Sequence, residues 1–248
     1  MNYDRTSNPV FRESVFHPQD ANAMVMTIDG VIRKSFIALF LLLAGAAFAW
    51  TRPYATISEI QGKIVLFSIG TLVLYFVTIF KPDIARITVP LYAIGEGFII
   101  GAISWLAQKH YPGVVVQAAV GTFGVFAAML FVYKRQIIRP SEKFAMVIFI
   151  ATVGVAFIYL VNWIMFLFGS SELSILNGSS NFSIGFSCVV CVIAALNLLL
   201  NFEFIVRQSK MGAPEKMEWI AALGLLVTLV WIYIEILHLL MKLKARND

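Results

Sequence analysis

Apolar runs of membrane-crossing length, separated by short polar breaks, fill this chain from about residue 35 to its end. A helix needs about 20 mostly apolar residues to cross the hydrocarbon core of a bilayer. Seven stretches meet or approach that length: Ser35–Trp50 (extending back through Val31), Lys63–Phe80, Ile87–Gln108, Gly113–Tyr133, Phe144–Phe168, Phe182–Val206 and Trp219–Met241. The breaks carry turn chemistry or charge, as in Arg52-Pro53, Lys81-Pro82-Asp83, Tyr111-Pro112-Gly113, Arg139-Pro140-Ser141, Asn177-Gly178-Ser179 and Gly212-Ala213-Pro214. None of these breaks is long enough for a second domain. The pattern predicts an all-α polytopic membrane protein, with a polar segment over residues 1–34 and a seven-helix transmembrane domain over 35–248.

The polar positions inside the spans are few. In the seventh span Thr228, Trp231, Glu235, His238 and Lys242 recur at spacings of three and four, so they share one helical face, while the other faces are aliphatic. A carboxylate facing lipid costs at least about 2.5 kcal/mol, and such groups usually face a protein interior or an ion path. Glu235 is therefore the leading candidate for function, as an ion-path or proton-sensing residue and as a metal ligand. His238 lies near the end of the span, where it can reach the interface.

The sixth span adds Asn197 and Asn201 on one face, and Glu203 near its end. Asn side chains commonly hydrogen-bond between membrane helices. Glu203 is a second candidate metal ligand, or the partner of Arg207 one turn on. In the third span Gly97, Gly101 and Ser104 form a small-residue face that permits close helix contact, and Glu96 borders it near mid-span. Gly121 and Gly124 are expected to serve packing in the fourth span. Cys188 and Cys191 have redox or metal spacing, but with no second Cys or His pair they read as small apolar residues.

Composition agrees with the apolar pattern. The chain has 248 residues, 60% apolar and 13% charged, with a mean hydropathy of +0.84; soluble domains carry about 25% charged residues. The net charge of +5 comes from short loops rather than a basic surface, so nucleic-acid binding is not expected. Thirteen of the 19 Lys and Arg residues fall on the side of the N-terminus, which predicts a cytoplasmic N-terminus. Seven spans then put the C-terminus outside, although Lys242, Lys244 and Arg246 pull against this and leave a re-entrant last helix as the alternative. No cleavable signal precedes the first run, which is expected to act as the insertion signal itself. Asn177-Gly-Ser and Asn181-Phe-Ser match the glycosylation pattern but read as ordinary turn residues. No soluble-enzyme motif is present, and the seventh span has no lysine before Lys242 for a retinal Schiff base. Neither an enzyme nor a cofactor is expected.

Several segments together resemble the Bax inhibitor-1 family, in its bacterial subgroup. They are Tyr92-Ala-Ile-Gly-Glu-Gly-Phe-Ile-Ile-Gly-Ala-Ile-Ser104, the run from Tyr111-Pro-Gly to Met129, Asn8-Pro-Val-Phe, Ala195-Leu-Asn-Leu-Leu-Leu-Asn-Phe-Glu-Phe-Ile205, and the run from Glu218 to Leu237. The resemblance implies seven helices with the last surrounded by the other six, in a bacterial plasma membrane. It also implies a pH-sensitive calcium leak, gated by a carboxylate of the sixth helix facing one of the seventh. The seventh-helix member corresponds to Glu235. The sixth-helix position falls on Asn201, an amide that hydrogen-bonds but does not titrate. A basic latch after the second span would be Lys81 or Arg86.

The expected function is thus a pH-sensitive leak or transport path for calcium or another cation, with Glu96, Asn197, Asn201, Glu203, Glu235 and His238 as candidate path residues. The alternative is a non-conducting regulator that binds and restrains another membrane protein, such as a protease, through residues 1–34. The lipid bilayer is a partner under either reading.

Overall fold

The computed structural model describes residues 25–52, 54, 56–138, 140–167, 178 and 180–247. Seven long helices dominate it: α1 (Ile28–Trp50), α2 (Ile57–Phe80), α3 (Ala85–His110), α4 (Val114–Lys134), α5 (Glu142–Leu167), α6 (Asn181–Lys210) and α7 (Met217–Asn247), with one 3-10 turn, Pro82–Ile84, before α3. All seven are long and apolar enough to cross a membrane. The chain is therefore an all-α, multi-pass membrane protein. The N-terminal motif Asn8-Pro-Val-Phe, Phe168 and the acceptor Asn177 lie outside the described residues.

The helix ends follow from local chemistry. α1 starts at Ile28, three residues before the expected backward extension to Val31, so 28–34 belong to the helix; Thr27 caps it by accepting from the Gly30 amide at 3.0 Å. Thr56 caps α2, and Ser180 caps α6. Gly113 (φ 84°) and Gly212 (φ 74°) take the left-handed backbone that the turns before α4 and after α6 demand.

A bridge between Val25 and Pro214, and a Met26 amide to Ala213 carbonyl bond of 2.7 Å, put the start of α1 beside the α6–α7 turn. This side is called the N-side below. At the opposite C-side, Lys244 donates to the Pro112 carbonyl at 2.6 Å and Arg246 to Asn181 Oδ1 at 2.7 Å. α7 therefore runs unbroken from one face to the other, about 46 Å at 1.5 Å per residue, and is not re-entrant.

α7 is the central helix: 67% of its most apolar stretch is buried, against 11% for α2 and α5. It packs on α6, α1, α4 and α3, and α5 reaches it through Tyr159. The expected ring of six is not uniform, because α2 packs chiefly on α3. The outward faces of α2 and α5 carry Leu66, Ile69, Ile150 and Phe157, all exposed to where lipid lies.

The small-residue face of α3 lies against α1. A methyl group at Gly97 would strike the Leu42 carbonyl, one at Gly101 the Ala46 carbonyl, and one at Gly45 of α1 the Ile94 carbonyl. Close backbone approach of this kind replaces the hydrophobic effect as the source of helix cohesion in lipid. Ser104 at the end of the same face bonds the Tyr233 hydroxyl of α7 at 2.6 Å. Gly121 sits against Ile236 of α7, whereas Gly124 faces open space and serves no packing role.

Candidate functional site

The stripe on α7 faces the bundle interior: Thr228, Glu235 and Lys242 are all buried, Glu235 with 2% exposure. The Glu235 carboxylate accepts from the Tyr159 hydroxyl of α5 at 2.7 Å and from the Trp231 indole nitrogen one turn earlier at 3.1 Å, both at Oε1. Both donors are neutral. Among the described residues no Lys, Arg or His makes an ion pair with Glu235.

Lys242 follows two turns later on the same face. Its ammonium group donates to Ser187 Oγ at 2.7 Å and to the Ser183 carbonyl at 3.4 Å, both on α6. Glu235 and Lys242 are close enough to feel each other's charge. Half-buried Cys191 of α6 lies near both. His238, between them in sequence, is also half-buried. Among the described residues the C-side half of the bundle thus holds the buried Glu235 carboxylate and the buried Lys242 ammonium group, each met by oxygen or nitrogen atoms of neighbouring side chains and backbone.

The structure does not bring Asn201 to Glu235. Asn201 donates to Thr228 Oγ1 at 2.7 Å, and Thr228 in turn donates to the Gly224 carbonyl at 3.0 Å. Thr228 is seven residues, about 10 Å along the axis, on the N-side of Glu235. The paired-position expectation is corrected on this geometry: α6 and α7 are antiparallel, and their register sets Asn201 opposite a threonine. Glu203, two residues further toward the N-side, is half-buried beside the Tyr133 hydroxyl of α4. It does not join Glu235 in a metal site. Among the described residues no three His, Cys, Asp or Glu side chains converge to hold a metal ion.

Asn197 donates to Thr152 Oγ1 of α5 at 2.7 Å and to the Ile193 carbonyl of its own helix at 2.9 Å, a packing contact. Glu96 is half-buried beside Tyr92 and the Thr71 hydroxyl of α2, on the flank of α3 away from the α1 seam. Lys81 and Arg86, the two candidates for a basic latch, are exposed.

The sequence reading missed a second buried charge cluster, at the N-side end of α7. Glu218, 1% exposed, accepts from the Thr27 amide at 2.8 Å, the Thr27 hydroxyl at 3.0 Å and the Lys34 ammonium at 2.7 Å. Lys34 also lies over the Trp219 ring and 3.5 Å from Glu215. A methyl group at Gly30 would strike the Glu218 carboxylate, so a larger residue there would displace it. Nothing local signals this contact, since its partners are 184 to 191 residues apart. Between it and the Asn201–Thr228 layer, Ile220, Leu223 and Leu226 are buried.

A cavity of about 260 Å³ between α1, α3, α4 and α7 is walled almost wholly by apolar side chains, among them Leu42, Ala46, Phe123 and Leu226. Tyr233 lines it but Glu235 does not.

Residues 8–245 match the model of a family described as Bax inhibitor 1 like. No curated protein matches the chain.

Proposed function

This chain belongs to the Bax inhibitor 1 like family, and on that premise we propose that it is a pH-sensitive leak path for a cation, with calcium as the ion. The observation that carries this reading is Glu235, a carboxylate buried in the central helix whose hydrogen bonds come from neutral donors alone. Calcium takes six to eight oxygen ligands and favours carboxylates. Glu235, Tyr159, Ser187 and the Ser183 carbonyl supply such oxygens at the C-side. Water completes the shell of a passing ion. A carboxylate in these surroundings changes charge with pH, so the same residue that attracts the ion also senses protons.

The gate differs from a two-carboxylate design. Asn201 is occupied by Thr228, and it cannot share a titrating proton with Glu235. On this reading Asn201 takes no part in the charge change, which is assigned to Glu235. On this reading the buried Ile220, Leu223 and Leu226 stand between Glu235 and the N-side, and conduction requires α7 to move relative to α6 or α1. The excess of basic residues on the N-terminal side of the spans supports a cytoplasmic N-side.

Purified protein in liposomes loaded with a calcium indicator tests the reading. Wild-type protein admits calcium at a rate that varies with pH. Glu235→Gln keeps the side-chain shape, and its flux no longer responds to pH. Equal flux from both proteins at every pH, with both folded, would remove Glu235 from the path.

A further inference from the structure

The leak reading gives no role to the apolar cavity between α1, α3, α4 and α7. Its floor is buried and includes Ile100, Leu226 and Val230. Its rim is exposed, with Leu43 and Trp50 on α1 and Phe123 on α4. α1 packs chiefly on α3 and α7, and α4 on α7 and α6, so the rim helices leave the cavity open sideways, toward lipid. Its wall has little to offer a polar occupant. The Ser104 and Tyr233 hydroxyls bond each other at 2.6 Å, and Thr122 donates to the Ala118 carbonyl of its own helix at 2.8 Å. The rest of the floor is apolar, and water in such a place finds too few partners.

Length identifies the occupant. Along α1 the lining runs from Leu39 to Trp50, about 16 Å at the helical rise, against about 15 Å for the hydrocarbon of one leaflet. Trp50 ends α1 on the C-side, where an indole suits the headgroup boundary. A volume of about 260 Å³ spread over that length makes a slot one hydrocarbon chain wide, too narrow for a helix about 10 Å across. We propose that the cavity is a binding site for one acyl chain of a phospholipid in the C-side leaflet. The chain enters sideways between α1 and α4, with its headgroup level with Trp50. It restores the dispersion contacts that an unfilled slot forfeits. It also packs on Leu226, Leu229, Val230 and Tyr233, the face of α7 turned away from Glu235. Lipid thereby braces the central helix from behind its polar stripe. The site does not depend on the leak reading.

Photo-crosslinking tests this directly. Full-length protein is placed in phosphatidylglycerol nanodiscs doped with phosphatidylglycerol that carries a diazirine in one acyl chain. After illumination the labelled peptides are mapped by mass spectrometry. Lipid that merely surrounds the protein labels the outward faces of α2 and α5, where Leu66, Ile69, Ile150 and Phe157 are exposed. The buried floor residues Leu226 and Val230 can be labelled by a chain seated in the cavity. Wild-type protein should therefore carry label on α7 over residues 226–233 as well as on α2 and α5. Ala119→Phe puts a ring at a lining position and should abolish the α7 label while sparing that on α2 and α5. Ala47→Phe, at a second lining position, replaces it if the first variant fails to fold. Ile69→Phe on the outer face of α2 should leave the α7 label intact.

Label confined to α2, α5 and the other outward faces would mean surrounding lipid alone and would overturn the site. So would an α7 label that survives both Ala119→Phe and Ala47→Phe, because the chain would then lie elsewhere. Unlabelled fatty acid added to the nanodiscs separates a phospholipid chain from a free one. Persistence of the α7 label supports the phospholipid, and its loss at unchanged α2 and α5 label overturns that assignment.

Discussion

The two ends of α7 each bury a glutamate, and the two sites differ in what meets the charge. At the N-side, Glu218 receives an ammonium group at 2.7 Å together with a backbone amide and a hydroxyl from Thr27. Its charge is compensated and its oxygens are occupied. At the C-side, Glu235 receives a phenol and an indole, and the nearest buried cation, Lys242, is held by α6 instead. On the proposed reading, the same residue type on the same helix serves as a structural clamp at one end and a responsive charge at the other. Burial alone does not distinguish these roles; the nature of the donors does.

The largest effect should come from breaking the clamp. Removing one partner of a buried ion pair leaves the other uncompensated, at a cost of about 3–5 kcal/mol. Glu218→Ala or Lys34→Met should lower stability on that scale in denaturation of the purified protein. Combining Lys34→Met with Glu218→Leu should recover a large part of the loss. Additive losses in the double variant would show that the two side chains act independently and that the N-side end is no clamp.

Tyr159→Phe sharpens the other half of the comparison. It removes a hydrogen bond to the buried carboxylate, worth roughly 1 kcal/mol in a membrane interior. Its main signature should be a displaced midpoint in the pH response of calcium flux, which the Glu218 variants would leave in place. A Tyr159→Phe profile that overlays wild type would mean that the phenol does not govern the proton on Glu235.

The smallest effect is expected between the two ends. Asn201→Leu removes one interhelical hydrogen bond to Thr228, worth about 0.6 kcal/mol on average in such settings. The pH response should survive, because Asn201 does not touch Glu235. Loss of pH response in this variant, with the protein folded, would revive a direct α6–α7 pair.

Much of the architecture could be read from the chain, because lipid demands long apolar runs and backbone polar groups satisfied within each helix. The seven spans, the inward stripe from Thr228 to Lys242 and the Gly97–Gly101 seam all follow from spacing of three and four. What escaped the sequence is register and long-range pairing. The alignment of Asn201 with Thr228 depends on how far α6 slides against α7, which no local pattern records. Glu218 and Lys34 look like boundary charges when counted loop by loop, and only the meeting of α1 and α7 shows them as a buried pair. Tyr159 gave no signal either, being one aromatic residue among many in an apolar run.

Infrared difference spectroscopy across a pH change reads the charge of buried carboxyl groups directly. Wild-type protein in lipid should show a protonated-carboxyl band that rises and falls with pH, absent from Glu235→Gln and retained in Glu218→Gln. A band that persists in Glu235→Gln, or no pH-dependent band in the wild type, would contradict the assignment of the responsive charge to Glu235.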